Sequence, residues 1–151
     1  MTLSTLEFIA VSAASTIDLS NKDTLIVAHD ARMHEVYMAS YSVSSEMNKF
    51  GLLHPIKLFS PDQLNNQLEN QVFSKDGRVF HCGNAWKVYE KEIFQSGQES
   101  DGLLEIETPN AETAILYVEK NLQQFPKVDW KNLNAEYIRN DIAKKSQKTL
   151  I

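Results

Sequence analysis

Hydrophobic spacing in the first third of the chain changes from a helical repeat to a strand repeat. A helix is predicted over residues 3–15, where apolar residues recur three or four positions apart: Leu3, Leu6, Ile9, Ala10 and Ala13. Ser4 and Glu7 form a capping box at its start. The apolar run within 23–32 predicts a buried strand, and the β-branched and aromatic segment 35–43 predicts its hairpin partner.

The rest of the pattern alternates strands and helices. Strands are predicted at 54–59, 77–83 and 103–108, and helices at 84–94, at 110–125 and from Ser60 onwards, where Pro61 and Gln63 complete a helix start. The helix at 110–125 has a predicted buried side that comprises Ala111, Ala114, Ile115, Val118, Leu122 and Phe125. This order predicts an α/β fold, with a mixed sheet opened by a hairpin and flanked by crossover helices.

Length and composition limit the classes of protein that the chain can represent. Its 151 residues suffice for one ordinary domain or two very small ones. A net charge of −5 argues against a surface that tracks nucleic acid throughout. Cys82 is the only cysteine, which excludes an internal disulfide and is consistent with a reducing cytoplasm. No apolar run approaches the roughly 18 residues of a membrane-spanning helix.

Histidine and cysteine side chains offer candidate chemistry, and each has a simpler interpretation. His29 and His34 flank a turn and would bind a metal only with help from Asp30 or Glu35, so ordinary turn and strand histidines are favoured. Cys82 precedes a helix start, which lowers a thiol pKa, but the neighbouring His81 points to the opposite face of a strand. A small buried cysteine is therefore the preferred interpretation.

Two further features could bind anions. Gly83 lies at a strand–helix junction, where an anion site and a tight turn are both possible, and a single glycine favours the turn. The segment 139–148 is basic and could contact RNA or an acidic partner, although a solvated terminus is the default interpretation.

The most crowded stretch is DARMHEVYMASY, residues 30–41, which raises the choice between an active site and a structural turn. Asp30 can bond its own backbone and can pair with Arg32, and histidine, here His34, is among the residues enriched at positive φ. A turn explains these residues without catalysis, so the residues alone indicate an α/β domain of unknown function.

The same stretch resembles the signature of the bacterial tRNA threonylcarbamoyladenosine biosynthesis family TsaB, also called YeaZ. The matching positions are Asp30, Ala31, Arg32, Met33, Glu35, Val36, Tyr37 and Tyr41. Residues 3–10, the strand–helix turn with Gly83 and the segment 136–143, with Tyr137 and Arg139, resemble further family segments in the same order. Departures from the family pattern are His34 for a glycine, Ala85 for the second glycine of the turn, and Ala135 for a proline.

The resemblance implies a single C-terminal lobe over residues 1–151, like one lobe of the actin-like ATPase (ribonuclease H-like) fold. The first-lobe motifs of the family, an Asp-Thr segment and a Gly-Pro-Gly-Ser stretch, do not occur in this sequence. It further implies a cytoplasmic, non-catalytic scaffold without cofactor or metal, which assists the TsaD-like transferase together with the TsaE-like ATPase and contacts tRNA only indirectly. The family's main partner contact lies in the first lobe, so this lobe alone is expected to bind poorly.

Two alternatives remain open at this point. Fold analogy allows a glycoprotease-like or nucleotide-hydrolysing enzyme, although analogy of fold is a weak argument for activity. Self-association as a homodimer is also expected, since the apolar stripe Leu3, Leu6, Ile9 and Ala13 would pack against a first lobe and needs cover without it.

Overall fold

The computed structural model of the protein describes residues 4–44, 49–70, 77–94 and 102–124, with Asp129, Lys131 and Ile138. The helices are α1 (Thr5–Ala14), α2 (Pro61–Asn70), α3 (Ala85–Val88), α4 (Glu90–Ile93) and α5 (Ala111–Asn121), and a short 3-10 helix spans Leu122–Gln124. The strands are β1 (Thr24–Asp30), β2 (Val36–Ser44), β3 (Lys49–Phe59) and β4 (Val79–Cys82). No helix in these ranges is long and apolar enough to cross a membrane.

The four strands form one mixed sheet in the order β3-β2-β1-β4. β1 pairs antiparallel with β2 across the hairpin and parallel with β4, and α2 lies in the connection that makes the parallel pairing possible. Both the hairpin and the mixed sheet flanked by helices are thus confirmed.

Strand β1 is central, and both of its faces are covered. On one face Leu25 and Val27 pack with α1, and on the other Ile26 and Ala28 pack with Trp86 and the helices that follow β4. A strand covered on both sides needs apolar residues at every position, which explains the uninterrupted run from Leu25 to Ala28.

Helix α1 begins where the sequence predicts, but its apolar stripe is not left uncovered. The Glu7 backbone N–H donates to the Ser4 hydroxyl at 3.1 Å, which confirms the N-cap. Leu6, Ile9 and Ala13 are buried against the sheet of this same chain. The expectation that this stripe drives self-association is therefore wrong for the described residues, which do not include Leu3.

Helix α5 is rotated relative to the predicted orientation, so that Ala114 is buried as predicted but other members of the predicted side are not. Its buried residues are Ala114, Tyr117 and Asn121, whereas Ile115 and Leu122 are each 60% exposed. The Tyr117 ring packs edge-on against the Phe50 ring of β3, with the ring centroids 5.6 Å apart, and this contact fixes the rotation of the helix. Spacing alone could not choose between the two sides, because 114, 117 and 121 also follow a helical repeat. Phe125 lies outside the described residues.

Three smaller predictions need correction. β3 begins at Lys49 instead of residue 54, because its pairing with β2 continues to Ser44. The segment 84–94 forms two short helices separated at Tyr89, whose backbone leaves the helical region at φ −116° and ψ 26°. The predicted strand 103–108 makes one bridge to β4, since a local hydrogen bond from Ile106 N–H to Leu104 C=O interrupts the ladder.

A buried carboxylate, which the sequence analysis did not identify, joins the starts of β1 and β4. The Asp23 side chain is 1% exposed and accepts the Arg78 guanidinium at 2.7 Å and the Arg78 backbone N–H at 2.9 Å. The Ser20 backbone N–H also donates to it at 2.9 Å. Burial opposes the charged form, but these donors outweigh burial and hold the pKa of Asp23 well below its usual range.

Replacing Asp23 with asparagine should lower the free energy of unfolding at pH 7 by about 2 kcal/mol, because charge-assisted hydrogen bonds are lost. A carboxyl whose pKa is lower in the folded state stabilises the protein above its unfolded pKa of about 4 and loses this contribution as the pH falls from there towards the folded value. Urea unfolding of both proteins from pH 7 downwards should therefore show the difference shrinking below about pH 4.

The matched control is Glu119→Gln, which removes a carboxylate from the exposed face of α5. This change should leave stability within about 0.5 kcal/mol of the wild type. An Asp23→Asn protein as stable at pH 7 as the control would contradict the role assigned to Asp23.

Candidate functional site

The turn between β1 and β2 has an unusual backbone. Arg32, Met33 and His34 all adopt left-handed conformations, with φ values of 64°, 55° and 61°. None of the three is glycine, and a left-handed L-residue costs about 1–2 kcal/mol. The sequence analysis placed only His34 at positive φ, which is confirmed, and the structure adds the two residues before it.

Asp30 holds the start of this turn. Its carboxylate accepts the Arg32 backbone N–H at 2.9 Å and the Tyr89 hydroxyl at 2.8 Å. Burial raises the pKa of Asp30, but these two hydrogen bonds and the nearby charges of Arg32 and His29 outweigh burial and lower it. The prediction that Asp30 bonds its own backbone is confirmed.

The turn is also anchored to the segment that follows β4. The Asp30 backbone N–H donates to the Asn84 side chain at 2.8 Å, and the Ala31 N–H donates to the Glu35 carbonyl at 2.8 Å within the turn itself. The turn is therefore fixed both by its own hydrogen bonds and by a neighbouring element.

His34 closes the other side of the turn. Its Nε2 lies 2.8 Å from a Glu92 carboxylate oxygen. Its ring packs edge-on against the Tyr89 ring, with the ring centroids 5.4 Å apart. His29 instead lies opposite Tyr37 in the β1–β2 ladder. Burial lowers the pKa of His29, although the negative charge of Asp30 acts in the opposite direction. Among the residues that the structure describes, no three histidine, cysteine or carboxylate side chains are grouped to hold a metal.

The remaining signature residues divide between core and surface. Ala31 is buried and Tyr37 packs against the α1 side of the core, so both serve the fold. Arg32 is exposed, and Met33 is 80% exposed at the tip of the turn. The backbone of Glu35 closes the turn, since its carbonyl accepts the Ala31 N–H and its N–H donates to the Arg32 carbonyl. The other two candidates, Tyr137 and Arg139, lie outside the described residues.

Cys82 and Gly83 have the simpler roles that the sequence favoured. Cys82 is fully buried, and burial raises the pKa of its thiol to about 12, so the lowering expected near a helix start does not occur. Gly83 has a φ of 98°, and a Cβ added there would lie 2.2 Å from the Ala28 carbonyl oxygen. Its N–H donates to the Ile106 carbonyl at 2.7 Å, so this amide joins the junction after β4 to the segment 103–108.

Three side chains around the turn were missed by sequence reasoning. Asn84, Tyr89 and Glu92 come from the segment after β4, more than fifty positions from the turn they hold. The parallel pairing of β1 with β4, which the crossover rule allows, is the one signal that could have brought them near Asp30. The Ser40 hydroxyl and His54 Nδ1, 2.7 Å apart across β2 and β3, were missed as well.

The contact between Asp30 and Tyr89 can be measured by a double-mutant cycle of Asp30→Ala and Tyr89→Phe. The two changes should couple by about 1 kcal/mol in urea unfolding, since they remove one shared hydrogen bond. Tyr89→Phe combined with Glu119→Gln should be additive. Additive effects in the Asp30–Tyr89 pair as well would show that this hydrogen bond contributes nothing to stability.

Comparison with known proteins gives matches by sequence and by structure. The chain is 26% identical over 136 residues to the tRNA threonylcarbamoyladenosine biosynthesis protein TsaB of Haemophilus influenzae, a match that covers 86% of this chain and 53% of that protein. The chain thus spans about half the length of the curated relative it matches. No family model matches the chain.

Two solved structures share the fold. One, an uncharacterized protein with similarity to the peptidase YeaZ from Pseudomonas aeruginosa, gives a TM-score of 0.67 at 19% identity over 91% of this chain and 57% of that one. YeaZ from P. aeruginosa gives 0.58 at 20% identity over 81% and 51%. The mixed sheet with flanking helices is thus that of YeaZ, which has the actin-like ATPase fold. The chain is therefore similar in sequence to half of a TsaB protein and similar in fold to YeaZ.

Proposed function

We propose that this chain is one lobe, the C-terminal one, of a TsaB-like protein that takes part in the biosynthesis of threonylcarbamoyladenosine in tRNA. The observation that carries the proposal is the sequence match to a protein named for that pathway, which extends over 86% of this chain. The shared fold supports the match, because the helices and strands agree over most of the chain.

Its role in the pathway is that of a scaffold without a chemical step of its own. At the turn, the Asp30 carboxylate is held by two donors and has a lowered pKa, which suits a structural acceptor better than a proton carrier. The Cys82 thiol is buried and protonated at neutral pH. These states support a non-catalytic role.

A hydrolytic enzyme is the alternative, and Ser40 with His54 is the arrangement it would use. Their side chains lie at hydrogen-bond distance, as a nucleophile and its base do. Ser40, however, is fully buried within the sheet, so no substrate carbonyl reaches its hydroxyl. The contact therefore favours a polar link between β2 and β3.

The partners that follow from this role are a TsaD-like transferase and a TsaE-like ATPase in the cytoplasm. Contact with tRNA is indirect, which agrees with the net charge of −5. A homodimer is no longer supported by the α1 stripe, whose described residues lie in the core.

The test measures binding to the TsaD-like transferase of the organism from which this chain comes. Two proteins are compared: the chain alone, and a fusion in which the preceding half of H. influenzae TsaB is joined in front of it. The fusion should co-purify with the transferase, and the chain alone should be retained at least about tenfold less. The Glu119→Gln fusion should bind as the unaltered fusion does.

Failure of both proteins to bind a folded transferase would contradict the proposed role. Peptidase activity of the folded chain that disappears in Ser40→Ala would replace it with the hydrolytic alternative.

A further inference from the structure

One side of α5 is apolar and faces away from the core of this chain. We call it the outer side of α5; it comprises Ala111, Ile115, Val118 and Leu122, the last in the 3-10 turn that continues the helix. Ala111 is exposed, Val118 is half-buried, and Ile115 and Leu122 are each 60% exposed. The spacing by four, three and four positions is that of a buried helix side, but the described residues of this chain do not bury it.

Helix α5 therefore has two apolar sides. It meets the core of this chain through Ala114, Tyr117 and Asn121, and a helix that packs on a single core needs no more than that. Single exposed apolar residues are ordinary on protein surfaces, whereas a contiguous row of them marks an interaction surface. The outer side thus calls for a second layer against α5.

Helix α1 lies beside α5 and runs in the opposite direction. The Asn110 N–H at the start of α5 donates to the Ser12 hydroxyl near the end of α1 at 2.8 Å. Burial, and after it the charge of Glu7 near the start of α1, raises the pKa of the Tyr117 phenol, so Glu7 lies in the neighbourhood of the second half of α5. The start of α1 is therefore close to the end of α5, where Leu122 is exposed.

We propose that the outer side of α5 is the surface on which the preceding half of a TsaB-like protein packs, so that α5 lies between two layers. The inference rests on the proposed function, in which this chain is the C-terminal lobe. The chain spans 53% of the TsaB protein it matches, so nearly as much chain again is available to form the second layer. A segment that enters α1 from that half arrives beside the end of α5, and this tether raises the effective concentration of the half at the outer side.

Charges beside the outer side disfavour a second copy of this chain as its cover. Glu112 and Glu119 are exposed and follow Ala111 and Val118 directly in sequence, so they lie along one border of the outer side. Two copies packed antiparallel through this side with two-fold symmetry would bring Glu112 of one copy next to Glu119 of the other. Like charges that face each other across an interface disfavour it. The preceding half is not subject to this symmetry, since its sequence can present neutral or basic groups there.

Cysteine labelling measures the cover directly, because Cys82 is the single cysteine of the chain and is fully buried. Ile115→Cys and Leu122→Cys each add one accessible thiol. Its rate of reaction with a maleimide is compared in the chain alone and in the fusion with the preceding half of H. influenzae TsaB, whose own cysteines are replaced by serine. Both thiols should react at least about tenfold more slowly in the fusion, since reaction requires access to the thiol.

The matched control is Val88→Cys, which places a thiol at another exposed apolar helical residue, 54% exposed on α3. This thiol should react at the same rate in the two proteins, within about twofold. All three variants should unfold at the same urea concentration as the wild-type chain, because each replaces an exposed side chain.

Each other outcome overturns the inference in a recognisable way. Equal labelling of Ile115→Cys and Leu122→Cys in the two proteins shows that the preceding half does not pack there. If that fusion still binds the transferase, the proposed function stands and only the packing surface is wrong; if it does not bind, both are wrong. Labelling of the chain alone that slows as its concentration rises would show that a second copy covers the outer side instead.

Discussion

Hydrogen bonds at the end of β1 connect the two halves of the sheet. The Asp30 N–H reaches Asn84 just after β4, and the Asp30 carboxylate receives the Tyr89 hydroxyl from the helical segment that follows. The same carboxylate caps the turn into β2. One residue thus links the antiparallel hairpin to the parallel crossover, and the strained turn depends on that link.

Close packing around β1 makes this arrangement possible. Gly83 lets the β4 turn approach the Ala28 carbonyl, where a Cβ would lie only 2.2 Å away. Trp86 then fills the adjacent core and donates its indole N–H to the Cys82 carbonyl at 2.9 Å. The approach of these two segments places Asn84 and Tyr89 within reach of Asp30. In this way the core on one face of the sheet positions the surface turn at its edge.

Local sequence signals predicted most of the fold, because caps and apolar runs act over a few residues. The start of α2 illustrates this: the Ser60 N–H reaches the Gln63 side chain at 3.3 Å, as the capping box requires. Signals failed where a distant contact decided the outcome. The Tyr117–Phe50 contact sets the rotation of α5, and pairing with β2 sets the start of β3. Neither contact is visible in a local pattern.

The site followed the same division. Asp30 as a backbone acceptor and His34 at positive φ follow from residue type, and both were predicted. Tyr89, Glu92 and the buried Asp23–Arg78 pair depend on strand pairing across more than fifty residues, so composition and spacing did not indicate them. The family resemblance located the turn, and only the structure revealed what holds it.

Native-state hydrogen exchange of the Asp30, Ala31 and Arg32 amides tests this account most directly. All three donate hydrogen bonds that hold the turn: Asp30 to the Asn84 side chain, Ala31 to the Glu35 carbonyl and Arg32 to the Asp30 carboxylate. A turn fixed by these contacts predicts slow exchange of the three amides, with faster exchange at Arg32 in Tyr89→Phe. Exchange of these amides in the wild-type protein at the rate of an open loop would contradict the claim that hydrogen bonds fix the end of β1.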